Sequence, residues 1–166
     1  MTVFDNENFQ LSKHWIGVLE DDTIAFEKIH RILFKSLYNY AVKFLNDEDL
    51  ADDVIQDLFI KIWETRKKIG NVDKVKSYFF TALRRQMLNK IRNENLRQLK
   101  LSNFEEADIT FSQEEIVIKR ENEIWSQSKV LSLHNQLPAR QKEVIYLRYF
   151  ENLSNQEIAH VMKIHY

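Results

Sequence analysis

Cysteine is absent from the 166 residues, so the chain can form neither a disulfide nor a thiolate metal site. Two glycines and one proline leave few natural backbone breaks, which disfavours loop-rich folds and predicts long helices. No apolar run approaches the roughly 18 residues a membrane span requires. The opening MTVFDNENFQ lacks the basic-then-apolar pattern of a signal peptide. Direct membrane insertion is not expected, and a cytoplasmic location fits both this and the missing cysteine. There is no glycine-rich phosphate loop and no recognisable Ser/His/Asp arrangement, so the sequence reads as a non-enzyme without catalytic residues or cofactors.

What is present is ample core material and segregated charge. Hydrophobic residues make up 44% of the chain, enough for one large domain or two small ones at roughly 100–200 residues per domain. The net charge of −1 conceals an acidic block (Asp47, Glu48, Asp49, Asp52, Asp53, Asp57), a basic stretch after it, and a second acidic stretch (Glu105, Glu106, Asp108, Glu114, Glu115). Charge divided in this way implies several distinct partner surfaces.

The basic stretch, Lys76 to Lys100, reads as a helix with two faces. At about 100° per residue, Phe80, Leu83, Met87 and Ile91 fall on one side and Tyr78, Ala82, Arg85, Asn89 and Arg92 on the other. Lys74, Lys76, Arg84, Arg85, Lys90, Arg92, Arg97 and Lys100 supply positive charge against Glu94. An aromatic, arginines and amides along one face suit nucleic acid: the cations neutralise phosphates, amides read base edges, and an aromatic stacks on an unpaired base. A solvated basic face over an ordinary core helix has the same pattern.

Taken in order, the chain predicts a short helix over residues 8–20 and a second from about Ile24 to Leu45 after an Asp/Thr start signal. A third runs from Asn46 to about Lys68, with acids in its first turn. There Leu50, Val54, Ile55, Leu58 and Ile62 share one side, and Asp52, Asp53, Gln56, Asp57 and Glu64 the other. Ile60 lies among the acids, with Phe59 and Trp63 at the border. Apolar side chains stranded in an acidic face fit a docking surface for a basic partner, or a solvated face with a stray isoleucine. The turn IGNVDKV around Gly70 leads into the basic helix and could wall a pocket for an extruded base. LSNFEEADITFS reads as a linker, and a helix is predicted over Gln113–Leu137. Pro138 restarts the chain into a helix reaching Phe150. Ser154-Asn155-Gln156-Glu157 forms a capping box for a last helix carrying Ile158, Ala159, Val161 and Met162.

Four stretches in this order resemble the extracytoplasmic-function (ECF) sigma factors: DLADDVIQDLFIKIW from Asp49, VKSYFFTALRR from Val75, LPARQKEV from Leu137 and LSNQEIA from Leu153. The resemblance covers about Ala25 to Tyr166. It implies an all-α protein of two small helical domains joined by a flexible linker. Residues 1–100 would form the region 2-like domain, 101–112 the linker and 113–166 the region 4-like domain. The resemblance further implies that Asp49, Asp52, Asp53, Gln56, Asp57, Phe59, Ile60 and Trp63 dock on core RNA polymerase. The β′ clamp helices would take this face, and the β flap is the second polymerase contact implied. Gly70, Asn71, Lys74, Lys76, Tyr78, Arg84, Arg85, Asn89 and Arg92 would bind and melt the −10 promoter element. An anti-sigma factor is the implied regulatory partner. The second domain is expected to end in an incomplete helix-turn-helix, since Ser154–Lys163 gives its first helix and Ile164-His165-Tyr166 reaches only its turn. Reading of the −35 element is expected to be poor.

Two readings from other classes stand beside this one. Glu27-x-x-His30 and Glu157-x-x-His160 match the spacing of carboxylate-bridged di-metal bundles. Those bundles also need an inward glutamate from each of two further helices, and the acids of the third helix lie opposite its apolar side. The other alternative is a helical adaptor that uses both charged faces to bind proteins, without salt-dependent affinity for single-stranded DNA.

Overall fold

A computed structural model describes residues 3–97 and 136–164. The linker over 101–112 and the helix predicted for Gln113–Leu137 lie outside the described residues, apart from the last two of that helix. Six helices and no strand occur among the described residues. They are α1 (Val3–Leu19), α2 (Thr23–Leu45), α3 (Glu48–Ile69), α4 (Val75–Arg97), α5 (Ala139–Tyr149) and α6 (Asn155–Met162).

Local chemistry sets the helix ends. Asp22 caps α2 by accepting from the backbone N–H groups of Ile24 and Ala25, and Asp47 caps α3 through the N–H of Leu50. Asn46 closes α2 in the left-handed conformation. Gly70 ends α3 at φ +69°, where a side chain would be strained. Pro138 sits at the N-cap of α5, one position earlier than the restart signal placed it. The capping box at Ser154 is present in full: its hydroxyl accepts from Glu157 N–H and the Glu157 carboxylate accepts from Ser154 N–H.

The first four helices bury one continuous apolar interior. Leu11, Trp15 and Val18 of α1 and Ile29, Leu33 and Leu37 of α2 meet Val54, Ile55 and Leu58 of α3 and Phe79, Phe80 and Leu83 of α4. Aromatic rings form much of the seam, Phe79 lying edge-on to Trp15 and tilted against Phe59. Gly17 lets α1 cross close to α2, because a Cβ there would stand 3.0 Å from the Cβ of Ala25. The indole N–H of Trp15 donates to the Gly70 carbonyl at 3.0 Å, pinning the α3–α4 turn to α1. The short pair α5–α6 packs back onto this bundle, with α6 against α4.

The two Glu-x-x-His motifs do not converge. Glu27 pairs with Arg31 at 2.6 Å on the surface, and His30 stacks on Phe34 and tilts against Phe59. Glu157 is occupied in the capping box.

Burial holds the His30 pKa below its usual 6.5, outweighing the opposing charge of Glu27. His14 is lowered in the same direction, by burial and then by Lys28 and Lys13. A lowered histidine pKa means that the unfolded chain takes up the proton first as pH falls. Stability from these groups is therefore complete above pH 6.5 and is lost as pH falls through the lowered folded values. We expect the urea midpoint to drop as pH falls below about 6.5, and His30→Phe to flatten part of that slope. An equal slope in the variant would exclude His30 as a source.

Candidate nucleic-acid and polymerase interface

Helices α3 and α4 are antiparallel neighbours joined by a five-residue turn, so their outer faces lie side by side. On α3, Asp49, Asp52, Asp53, Gln56, Asp57 and Glu64 are exposed, and Ile60 stands among them with 57% of its surface open to solvent. An isoleucine this open within an acidic face is an apolar contact waiting for a partner, because its inward-facing neighbours Val54, Ile55 and Leu58 already fill the core. On α4, Arg85, Asn89 and Arg92 form an exposed stripe, with Tyr78 half-buried at its upper end. Burial raises the pKa of the Tyr78 hydroxyl above its ordinary value.

A groove of about 530 Å³ runs between the two faces, lined in part by Asp57, Ile60 and Glu64 of α3 and by Gln86, Asn89 and Asn93 of α4. The amide oxygen of Gln86 is buried there without a hydrogen-bond partner. Above the groove, the turn exposes Asn71 and Lys74, while Gly70 is half-buried with its carbonyl held by Trp15.

Three residues of the sequence-based sets are placed otherwise. Phe59 is buried rather than exposed, since Phe26 and His30 of α2 and Phe79 of α4 close over its ring. Trp63 beside it is half-buried, against Phe26 and under the Arg66 guanidinium at 3.9 Å. Arg66 in turn is bound to the carboxylate of Asp21, which Lys67 also engages at 2.6 Å. Lys76 and Arg84 are the other two. Both are withdrawn from solvent by acids that lie far away in sequence.

Arg84 donates from Nε to Glu143 Oε1 at 2.7 Å and from a terminal nitrogen to Oε2 at 3.0 Å. The same Oε1 accepts from the Tyr40 hydroxyl at 2.5 Å. Burial opposes the charge on Arg84, but the hydrogen bonds and charge of Glu143 outweigh it and hold the guanidinium pKa above its ordinary value. The Tyr40 hydroxyl is driven well above its usual range by burial and then by the Glu143 carboxylate. Lys76 lies 3.2 Å from Glu7 Oε1 and 3.5 Å from Glu151 Oε2. Neither Glu143 nor Glu151 stands out in the sequence as a partner for these cations. The available signal is Glu143 standing beside the apolar run Val144–Leu147, where a charge needs a partner.

Two segments of the chain match known families. Residues 31–97 match the family model for Sigma-70 region 2, and residues 127–166 the model for Sigma-70, region 4. The chain is 25% identical over 127 residues to RNA polymerase sigma factor SigV of Bacillus subtilis (strain 168), covering 76% of this chain and 71% of that one. It is 20% identical over 148 residues to ECF RNA polymerase sigma factor SigM of the same organism, covering 85% and 83%.

Exposure and burial predict opposite responses to truncation. Arg85→Ala, Asn89→Ala and Arg92→Ala should each change unfolding free energy by no more than ~0.5 kcal/mol, whereas Phe59→Ala should cost about 3–5 kcal/mol. Urea titration followed by circular dichroism separates the two classes. A small loss for Phe59→Ala would return that ring to the surface set.

Proposed function

The chain belongs to the extracytoplasmic-function sigma factors, which act in transcription initiation, and from that premise we propose which faces meet polymerase and promoter. The α3 face (Asp49, Asp52, Asp53, Gln56, Asp57, Ile60) docks on core RNA polymerase at the β′ clamp helices, with Trp63 at its edge. The α4 stripe (Tyr78, Arg85, Asn89, Arg92), with Gly70, Asn71 and Lys74 of the turn, binds the −10 element and holds its opened strand. Residues 1–100 then form the polymerase- and −10-binding unit, 101–112 the linker and 113–166 the region 4-like unit, which meets the β flap. The single observation that carries the reading is exposed Ile60, set in an acidic face across a groove from Asn89 of the α4 stripe.

The physics requires no catalytic residue. Strand opening costs a few kcal/mol per unstacked base, and stacking on an aromatic returns about 1–3 kcal/mol per base. Arginines on the stripe add phosphate contacts whose strength falls with salt. The helical-adaptor reading predicts no such salt-dependent affinity. We place the protein in the cytoplasm, where polymerase works; no helix among the described residues is long and apolar enough to cross a membrane. The acidic α3 face and the basic stripe are also the surfaces an anti-sigma factor would cover.

Two experiments test the assignment. Purified core polymerase should capture the chain, and Asp53→Arg/Ile60→Glu should lose at least about tenfold in affinity, or ~1.4 kcal/mol. Arg85→Ala/Asn89→Ala/Arg92→Ala should retain capture and lose promoter opening, read by permanganate reactivity of the −10 strand. Normal capture by the first variant, or normal opening with the second, would reject the corresponding face.

A further inference from the structure

Helix α1 lies outside every surface assigned so far, yet it reaches the turn between α3 and α4. We propose that Trp15 is a positioning residue for the base-binding site: by holding the Gly70 carbonyl and lying beside the Tyr78 ring, it fixes the turn relative to that ring. This inference rests on the promoter-binding reading of the turn and of Tyr78 above.

The contact has a specific chemistry. Trp15 is only 1% exposed, so its indole N–H needs an acceptor inside the fold. It donates to Gly70, 55 positions away, at 3.0 Å. Phenylalanine would fill most of the same core volume without that polar requirement, so packing alone gives no reason for an indole at 15. Gly70 stands at φ +69° and ψ −155°, a conformation essentially reserved for glycine. Its N–H donates to the Arg66 carbonyl at 3.1 Å. The first residue of the turn is thus held by α3 through its N–H and by α1 through its carbonyl, and Asn71, Asp73 and Lys74 stand exposed beyond it.

The same indole meets the aromatic side of the site. Its ring centre lies 6.3 Å from that of half-buried Tyr78, with the planes 44° apart. At the other stem of the turn, Lys76 Nζ lies 3.2 Å from Glu7 Oε1, so α1 also holds the start of α4. One helix thus braces both stems and lies beside the ring on which a base would stack. A wandering turn would accept an extruded base only in the fraction of its conformations that leave room beside Tyr78, and apparent affinity falls by that fraction. Bracing removes this ordering cost without adding a contact to DNA. Phosphate binding is a separate matter, because Arg85 and Arg92 lie about three and five turns into α4.

Asp73→Cys gives the full chain a single thiol, and so a single site for a spin label on the exposed part of the turn. Trp15→Phe keeps a ring in the core and removes the N–H. Gly70→Ala disturbs the same contact from the other end by backbone strain alone, because nothing lies within 4 Å of the added Cβ. Leu33→Ala, a buried truncation on α2, lowers stability and leaves the tether in place. Label mobility should rise in Trp15→Phe and in Gly70→Ala and stay unchanged in Leu33→Ala. Binding is read with single-stranded DNA probes that carry one base in an otherwise abasic backbone, each compared with the fully abasic strand. Trp15→Phe should weaken the base-dependent part roughly threefold to tenfold, with affinity for the abasic strand and its salt slope unchanged. Trp15→Phe/Gly70→Ala should lose no more than the larger single loss, since both changes act on one contact. Unchanged mobility in Trp15→Phe would overturn the positioning role, and so would an equal loss of base-dependent binding in Leu33→Ala. Where Trp15→Phe does not fold, Gly70→Ala decides: mobility and base-dependent binding both unchanged would overturn the role. A wild-type chain that binds the abasic strand as tightly as every base-bearing probe fails the base-site reading, and this inference with it. Base-dependent binding that Trp15→Phe leaves intact fails this inference alone.

Discussion

A guanidinium cannot stay buried without an acid, and Arg84 meets that demand with a residue 59 positions further along the chain. Much of the arrangement between the bundle and its C-terminal pair follows from this pairing. Glu143 must turn inward from α5, which brings Tyr146 over Tyr40, with ring centres 5.8 Å apart and planes 22° from parallel. Phe150 then stacks on Tyr146 at 5.2 Å. Burial, and then the Glu143 carboxylate to which its hydroxyl donates and which also neutralises Arg84, keeps Tyr40 protonated. Charge, hydrogen bonding and ring stacking thus specify one seating for α5. Apolar contact alone would allow several.

The two candidate surfaces owe their relationship to a short turn and to helix packing together. The five-residue turn makes α3 and α4 antiparallel, and the shared core of Leu58, Phe59, Phe79 and Leu83 fixes their rotation. The acids of α3 and the cations of α4 therefore face outward on either side of one groove. Neither surface can rotate without disturbing the aromatic seam. Rigid presentation of this kind limits the ordering entropy that binding would otherwise cost.

Helical periodicity carried far in this chain because the helices are long and each buries one side. Most of the inward sets of α3 and α4 were legible, namely Val54, Ile55, Leu58 and Ile62 and then Phe80, Leu83 and Met87, and the capping box at Ser154 located α6. Ile60, Arg85, Asn89 and Arg92 were legible as outward positions for the same reason. Phe59 was not, because a border position is decided by whether another helix closes over it, and Phe26 and His30 of α2 do so. Lys76 and Arg84 escaped for a related reason. A helical wheel describes one helix at a time, whereas their partners sit on α1 and on the α5 segment.

The hydrogen bond from Trp15 to the Gly70 carbonyl has a consequence for modularity. Helix α1 and the first turns of α2 precede the region 2 match, which begins at residue 31, yet they supply Leu11, Trp15, Val18, Ala25 and Ile29 to the core. The matched segment therefore does not hold the whole of this hydrophobic core. Transplanted without the helix that precedes it, it would arrive with a solvent-filled notch where the indole sat and an untethered turn at Gly70. In this protein the edge of the matched segment and the edge of the folding unit fall at different places along the chain.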